Sequence, residues 1–216
     1  MRVEGEAAEL AAMLFPEGLV PQILGLTMDV WKALPRPEPT DGETKITRVL
    51  TKAMQIEKRQ RGLPFSIRSH AEEHEDLDEA SGTGFSEIDI LLQHGDDERC
   101  YFAFEAKKLN GTTKSGKPDS GSTEYAGDPG MGAFVGGTYA CHQNHGGMIG
   151  YVMDGDCRKA KRRVDTSVKN RAAQLRMTSP CELKPLAYFP ANDDVFVTQH
   201  LLDRGRFSIF HVLLTV

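Results

Sequence analysis

The sequence has no long apolar run and no basic leader segment. None of its apolar stretches approaches the roughly 20 residues that a helix needs to cross a bilayer. The first residues, MRVEGEAAELAAMLFPEG, are acidic, whereas a signal peptide carries positive charge before an apolar segment. We therefore predict a cytoplasmic protein with no signal peptide and no membrane contact. Its 216 residues are enough for one domain, or for one domain with a small appendage.

Paired cysteines are also lacking. The four cysteines are Cys100, Cys141, Cys157 and Cys181. None of them stands at the CxxC spacing of a zinc-binding pair, so the pattern disfavours a zinc knuckle and predicts reduced thiols. The one metal-like cluster is Cys141 with His142 and His145, which we interpret as the polar end of a helix rather than as a zinc site.

The sequence lacks an excess of positive charge: 31 acidic residues outnumber 26 lysines and arginines, the net charge is -5 and the pI is about 5.8. This balance disfavours a protein that coats nucleic acid, although phosphate binding needs only local positive charge. One local basic run is present: Arg158, Lys159, Lys161, Arg162 and Arg163. At helical spacing its members fall on neighbouring faces. A phosphate-binding face and a solvated helix face are both open interpretations.

The first part of the chain predicts helices. Residues 1–39 are predicted as a helical lead-in, with helices over 7–15 and 21–34 that end at the proline-rich segment 35–42. The main domain is predicted over 40–216. Its first helix has the apolar spacing of one buried face and ends near Gly62. Thr40 and Glu43 have the spacing of a capping box at its start.

The rest of the chain alternates between strand and helix patterns. The predicted strands cover 64–69, 85–93, 100–109 and 146–155, with two more in the segments VFVTQHLL and FSIFHVLLTV. The predicted helices cover 129–142 and 157–176, and the predicted loops cover 71–84 and 110–129. This order predicts an α/β fold, a mixed central sheet flanked by helices on its faces.

The second and third strands carry charged residues within apolar runs. Because side chains alternate faces in a strand, Glu105 and Lys107 share one face of the third strand with Tyr101 and Ala103. Asp89 stands between Ile88 and Ile90, where an unpaired charge is costly to bury. The polar turn HGDDER predicts a hairpin that brings Asp89 beside Glu105.

Two carboxylates at a strand end suit Mg²⁺ or Mn²⁺, because these ions prefer oxygen ligands. The backbone carbonyl of Ala106 is a further oxygen ligand in this interpretation. A water bound to such a metal loses its proton more easily and attacks phosphorus, while a neighbouring lysine orients the water or stabilises the developing charge. The residues Asp89, Glu105 and Lys107 therefore predict a metal-dependent phosphodiester hydrolase.

The pattern resembles the PD-(D/E)XK nuclease superfamily, which includes many restriction endonucleases. Asp89 is followed after about fifteen residues by Glu105-Ala106-Lys107 on the next strand, and the order α-β-β-β-α-β over residues 43–155 is similar to the core of that family. The resemblance implies that Asp89 and Glu105 are metal ligands and that Lys107 is the catalytic lysine. It also implies an acidic ligand on the first core helix, for which Glu43 is the candidate. Ile88 stands in place of the proline that gives the motif its first letter, and that proline is often missing in the family.

Each site residue also has a structural interpretation. Glu105 and Lys107 would form a surface ion pair on an edge strand, and Asp89 would face solvent from a half-buried strand. Glu43 would cap its helix, a role that is compatible with metal binding. Lys108 is a candidate for phosphate contact or for covering the opposite face of the sheet. His200 and His211, in apolar strands, are interpreted as structural.

The leading functional hypothesis is a Mg²⁺- or Mn²⁺-dependent nuclease acting on nucleic acid, with DNA as the expected partner. The resemblance implies bacterial restriction or phage defence, and work as a homodimer or with partner subunits. The candidate nucleic-acid-binding residues are Lys108, Arg158, Lys159, Arg162 and Arg163. The alternative, motivated by the acidic pI, is a non-catalytic subunit of a multi-protein complex on the same fold. A nucleotide-binding module that uses the glycine-rich segment ranks last, because no phosphate-loop motif is present.

Overall fold

The computed structural model describes residues 14–38, 40–73, 86–113, 115–189 and 193–216. Most of the helix predicted over 7–15 and most of the acidic loop predicted over 71–84 lie outside these ranges. Among the described residues, no helix has both the length and the apolar character needed to cross a membrane.

The described strands form a mixed sheet of seven strands in the order β1-β2-β3-β6-β9-β8-β7. The central strands β3, β6 and β9 run parallel, and the remaining pairs on both sides are antiparallel. These strands are β1 (Phe65–Glu73), β2 (Ser86–His94), β3 (Tyr101–Leu109), β6 (His145–Val152), β7 (Lys184–Pro185), β8 (Val195–Leu202) and β9 (Gly205–Thr215). The predicted α/β class and mixed sheet are confirmed.

Helices cover both faces of the sheet. The longer ones are α1 (Val20–Ala33), α2 (Glu43–Arg61) and α5 (Cys157–Asn170), and the short ones are α3 (Ser122–Tyr125) and α4 (Ala133–Val135). A 3₁₀ turn, Glu17–Leu19, precedes α1, and a π-helical turn, Asp128–Gly132, precedes α4. A small hairpin of β4 (Gly111–Thr112) and β5 (Pro118–Asp119) stands apart from the main sheet.

The two faces of the sheet have separate hydrophobic cores. On one face, α1 and α2 pack against Phe102, Phe104 and Ala106 of β3. On the other face, α3 and α5 pack against Tyr101 and Ala103 of the same strand. The alternation predicted for β3 is therefore confirmed. Because α1 lies in the same core as α2, the described part of the lead-in is packed onto the sheet.

Glycine permits close packing in the central strand β6. A Cβ atom on Gly147 would lie 2.4 Å from the ring of Phe104, and one on Gly150 would lie 2.6 Å from Leu109. Large side chains of β3 therefore occupy the space beside β6. This close packing fixes β3, which carries the candidate site, at the centre of the sheet.

Several local predictions are wrong. Gly42 is the N-cap of α2 and makes no side-chain cap hydrogen bond, so Thr40 and Glu43 do not form the predicted capping box. The helix predicted over 129–142 ends at Val135, because the chain turns at Gly136 and Gly137, where φ is +82° at the second. The helix predicted over 157–176 ends at Asn170. The segment predicted as a loop, 110–129, contains β4, β5 and α3.

Candidate functional site

The site is built on the second half of β3. Glu105 lies on the α5 side of that strand and is only 5% exposed, although a carboxylate is costly to bury. Lys107, two residues on, points to the same side and is largely buried. The buried position excludes the alternative of a surface ion pair on an edge strand, since β3 has β2 on one side and β6 on the other.

Asp89 reaches the site through an irregularity in β2. Ile88 packs with Leu91 in the core on one face, whereas Ile90 and Leu92 pack in the core on the other face. The alternation of the strand therefore shifts by one residue at Asp89. Its Oδ2 atom accepts a hydrogen bond of 2.8 Å from the backbone N–H of Ala106. This bond places the Asp89 carboxylate beside the Glu105-Ala106-Lys107 segment, as the hairpin pattern predicts.

Lys107 connects the carboxylates. Its ammonium donates hydrogen bonds to the Glu105 carboxylate and, at 3.0 Å, to the carbonyl of Ala106. Its Nζ atom also lies 3.8 Å from Oε1 of Glu43. One cation therefore balances a group of carboxylates that would otherwise repel one another.

Glu43 joins this group from the opposite layer. It is the first residue of α2, and its Oε2 atom accepts a hydrogen bond of 2.8 Å from the backbone N–H of Lys108. The side chain of Lys108 in turn donates to the carbonyl of Asp41 at 2.9 Å. The start of α2 is thereby fixed against the end of β3. The Glu43 carboxylate therefore accepts a hydrogen bond from β3 instead of capping α2, the role predicted for it.

Burial dominates the electrostatics of the carboxylates. It raises the pKa of Glu105 to about 8, and the nearby Asp89 carboxylate adds to the rise. Burial also raises the pKa of Asp89 and of Glu43. For Lys107, burial is the largest single influence and would lower the pKa, but Glu105, Glu43 and Asp89 together outweigh it, so the pKa is raised. The site thus holds an ammonium among carboxyl groups that resist ionisation.

The Oε2 atom of Glu105 is buried and has no hydrogen-bond partner among the described residues. A buried acceptor without a partner costs free energy and calls for an explanation. Oxygen donors at the site suit a divalent cation: the carboxylates of Asp89 and Glu105 and the carbonyl of Ala106. The Lys107 ammonium already contacts the Glu105 carboxylate and the Ala106 carbonyl, so a bound cation would compete with the ammonium for these two groups. The ammonium would then keep Glu43 as its carboxylate partner.

Side chains alone do not enclose a metal in the part of the chain that the structure describes. No group there of three or more histidine, cysteine, aspartate or glutamate side chains is placed to hold an ion. A metal bound here would therefore have two carboxylates and one backbone carbonyl as candidate donors, with water for the remaining positions. That set fits Mg²⁺ in kind, because this ion usually keeps several waters and binds only one or two carboxylates.

The sequence patterns did not identify two residues that lie near the site, His70 and Glu124. Within the pairing of β1 with β2, Ser69 faces Ile90 and Ala71 faces Ile88, which puts His70 across from Asp89. His70 has a φ of +51°, its Nδ1 atom lies 2.8 Å from the Glu87 carboxylate, and its Nε2 atom is buried and unpartnered among the described residues. Glu124, on α3, is close enough to contribute to the raised pKa of Glu43. No local pattern marks Glu124, because α3 reaches the site only through the fold of residues 110–121.

The candidate nucleic-acid-binding residues are separated into three places. Lys108 contacts the start of α2, as described above. Arg158 lines a groove with Asp193 and Asp194. The others line a different cleft along α5: Lys159, Arg162 and Arg163. The basic run is therefore not a single face.

His200 and His211 belong to a buried hydrogen-bond chain. His200 Nδ1 donates to the carbonyl of Leu175 at 2.7 Å, since a carbonyl can only accept. In a neutral ring its Nε2 then accepts from the Thr198 hydroxyl at 2.8 Å, and that hydroxyl accepts from His211 Nε2 at 2.9 Å. His211 Nδ1 finally accepts from the Tyr125 hydroxyl at 3.0 Å. Every ring nitrogen in this chain has a partner, which suits the structural role predicted for both histidines.

Comparison with known proteins adds no relative from which a function can be carried over to this site. No protein-family model, no curated protein and no solved structure matches the chain. What the site does must therefore be inferred from its own geometry and chemistry.

Proposed function

We propose that the protein is a metal-dependent nuclease that hydrolyses phosphodiester bonds of nucleic acid, with DNA as the expected substrate. The observation that carries the proposal is the buried Oε2 atom of Glu105, beside Asp89 and Lys107, for which the described ranges offer no hydrogen-bond partner. A carboxylate oxygen held out of water without a donor is suited to a cation. The resemblance to the PD-(D/E)XK superfamily and the element order α-β-β-β-α-β are consistent with this proposal.

In the proposed mechanism, the carboxylates of Asp89 and Glu105 and the carbonyl of Ala106 would hold Mg²⁺ or Mn²⁺. A bound divalent cation would supply Lewis acidity toward the phosphate and lower the pKa of an attacking water. The hydrogen bond from the Ala106 N–H keeps Asp89 oriented before substrate arrives. The ammonium of Lys107 orients the attacking water or stabilises negative charge on the phosphate oxygens.

Cleavage of plasmid and of single-stranded nucleic acid, with and without Mg²⁺ or Mn²⁺, tests the proposal. Wild type is expected to cleave only with metal. Lys107→Ala and Asp89→Asn are expected to reduce the rate at least about 100-fold, the usual effect of losing one group that stabilises a transition state. Lys52→Ala, an equivalent truncation on the exposed face of α2, is the matched control. Cleavage by both site variants at the wild-type rate would refute the site assignment.

A second candidate is a non-catalytic subunit on the same fold. The contact of the Lys107 ammonium with Glu105 and Ala106 favours it, because the cluster is already partly neutralised without a metal. This alternative predicts a folded protein that shows no Mg²⁺ binding by calorimetry and no cleavage of any substrate. It also predicts that activity, if any, appears only with partner subunits.

A further inference from the structure

A positively charged cleft lies on the α5 side of the sheet. It has a volume of about 730 Å³. One wall belongs to α5 and carries Lys159, Arg162 and Arg163. The opposite wall includes Ser120, which lies between β5 and α3, and Ser122, the first residue of α3. Three cations therefore face one carboxylate, Asp119, in a protein whose net charge is -5.

The three cations differ in how far they are engaged. Lys159 forms an ion pair of 2.6 Å with Asp154, and Arg163 donates to the side chain of Asn110 at 2.8 Å. Arg162 is exposed and has no acidic partner among the described residues. A guanidinium in this state keeps its donors for a ligand, and its planar fork matches the oxygens of a phosphate.

Hydroxyl groups complete the cleft. Ser167 on α5 donates to Ser122 at 3.0 Å, and Ser122 lies 3.0 Å from the hydroxyl of Ser120. This chain of hydroxyls crosses from one wall of the cleft to the other. Serine hydroxyls together with arginine are the groups that proteins commonly use to contact phosphate oxygens.

The cleft adjoins the candidate active site. Ser120 accepts a hydrogen bond of 3.1 Å at its carbonyl from the N–H of Asn110, immediately after β3. At Gly121 the chain passes so close to β3 that a Cβ atom would lie 1.9 Å from the carbonyl of Lys108. The cleft also lies on the face of β3 that carries Glu105 and Lys107, since α3 and α5 pack on that face.

From these observations we infer that the cleft binds a phosphate group of the nucleic-acid chain, on the same side of the sheet as the bond to be cut. The inference rests on the proposed function for its ligand class, but its evidence is the cleft itself. The ligand is either a terminal phosphate monoester or an internal phosphodiester, both of which present the same anionic oxygens. Arg162 is the principal contact. Arg158, one turn earlier on α5, lines a separate groove with Asp193 and Asp194 and takes no part.

Binding without metal separates this inference from catalysis. Fluorescence anisotropy in EDTA would measure the affinity of wild type, Arg162→Gln and Arg158→Gln for a short labelled oligonucleotide with a 5′-phosphate and for the same oligonucleotide with a 5′-hydroxyl. Arg162→Gln is expected to weaken binding at least about tenfold and to reduce the salt slope by about 1. Arg158→Gln removes the same charge from the same helix and is expected to bind like wild type.

The pattern across the two oligonucleotides identifies the source of the phosphate. A loss confined to the 5′-phosphorylated oligonucleotide supports a terminal monoester, and an equal loss for both supports an internal diester. Equal effects of Arg162→Gln and Arg158→Gln, or no binding of either oligonucleotide by wild type, would overturn the inference. If wild type binds in this Arg162-dependent way but cleaves nothing with metal, the proposed function fails and the cleft stands. Unchanged melting temperatures exclude misfolding of the variants.

Discussion

The protein contains two buried polar clusters that differ in how completely their hydrogen bonds are made. In the chain formed by Tyr125, His211, Thr198 and His200, every ring nitrogen and the linking hydroxyl have partners in one consistent direction. In the cluster around Glu105, a buried carboxylate oxygen has none among the described residues. The first cluster is complete as a folded structure, whereas the second leaves a buried acceptor open, which under the proposed function is the position of a bound cation.

The same contrast appears in charge. Burial lowers the pKa of His211 to about 3 and also lowers that of His200, so both rings stay neutral within the fold. The Glu105 cluster instead concentrates several carboxyl groups around one ammonium, Lys107. Protein sites commonly retain such unfavourable arrangements where function requires them. A structural cluster and a functional cluster should respond oppositely to substitution, so substitutions in the two clusters distinguish the two roles.

The largest expected effect on stability is in the histidine chain. Thr198→Val removes the hydroxyl that links the two rings and leaves two buried nitrogens without partners. We expect the free energy of unfolding to fall by about 3 kcal/mol, the cost of stranding such groups. Chemical denaturation measures this change. Thr138→Val, at an exposed position, is the matched control and should change little. A loss of less than about 0.5 kcal/mol, the usual range for surface substitutions, would show that this hydrogen-bond chain contributes little to stability.

Lowering the pH should also reduce the free energy of unfolding through the buried histidines His211 and His145. Because the folded pKa of His211 is about 3 and that of His145 about 4, the unfolded chain binds protons first as the pH falls below about 6.5. The stability that the neutral forms of these two histidines contribute is fully present above about pH 6.5 and is lost as the pH falls toward 4. Each such histidine lowers the free energy of unfolding by up to about 1.4 kcal/mol per pH unit.

Comparing variants isolates this effect of acid. Denaturant melts between pH 7 and pH 4 should show a shallower decline with pH in His211→Gln than in wild type. His142→Gln, which changes an exposed histidine, should follow the wild-type profile. Parallel profiles for all three proteins would contradict the assignment of a buried, neutral His211.

A smaller change of opposite sign, a rise in the free energy of unfolding, is expected for a substitution in the cluster around Glu105. Glu105→Gln keeps the shape of the side chain, removes one carboxyl group and supplies an amide donor toward the remaining carboxylates. In metal-free buffer we expect the free energy of unfolding to rise by about 1 kcal/mol, as for other substitutions that relieve a functional site. Thermal and denaturant melts in EDTA measure the change. A substantial loss of stability would indicate that Glu105 is a structural residue like Thr198.

Periodicity predicted the parts of the fold that depend on neighbouring residues. The strands around Asp89 and Glu105, the alternation within β3 and the mixed sheet follow from apolar patterns of period two. The same alternation identified Glu105 and Lys107, because a charge within an apolar strand is conspicuous. These are features in which local preference and tertiary packing agree.

Features that depend on distant contacts were missed or wrongly predicted. Glu43 matched a capping box, but its carboxylate bonds to the N–H of Lys108 in β3, a contact that no local spacing encodes. The helical spacing of the basic run predicts neighbouring faces, but it does not show that Arg158 and Arg162, one turn apart on α5, line two different clefts. Glu124 and His70 approach the site only because α3 folds back and because β1 and β2 are irregular there. Tertiary structure, not local pattern, decides these positions.

The most direct test of the central claim is calorimetric titration of the purified protein with Mg²⁺, using Glu105→Gln and the exposed control Glu98→Gln. If the buried oxygen of Glu105 is a cation ligand, wild type and Glu98→Gln should bind Mg²⁺ equally, and Glu105→Gln should lose measurable binding. At a Mg²⁺ concentration ten times the dissociation constant, binding should also stabilise wild type by about 1.4 kcal/mol. Equal binding by all three proteins, or none by wild type, would contradict the assignment of Glu105 as a metal ligand.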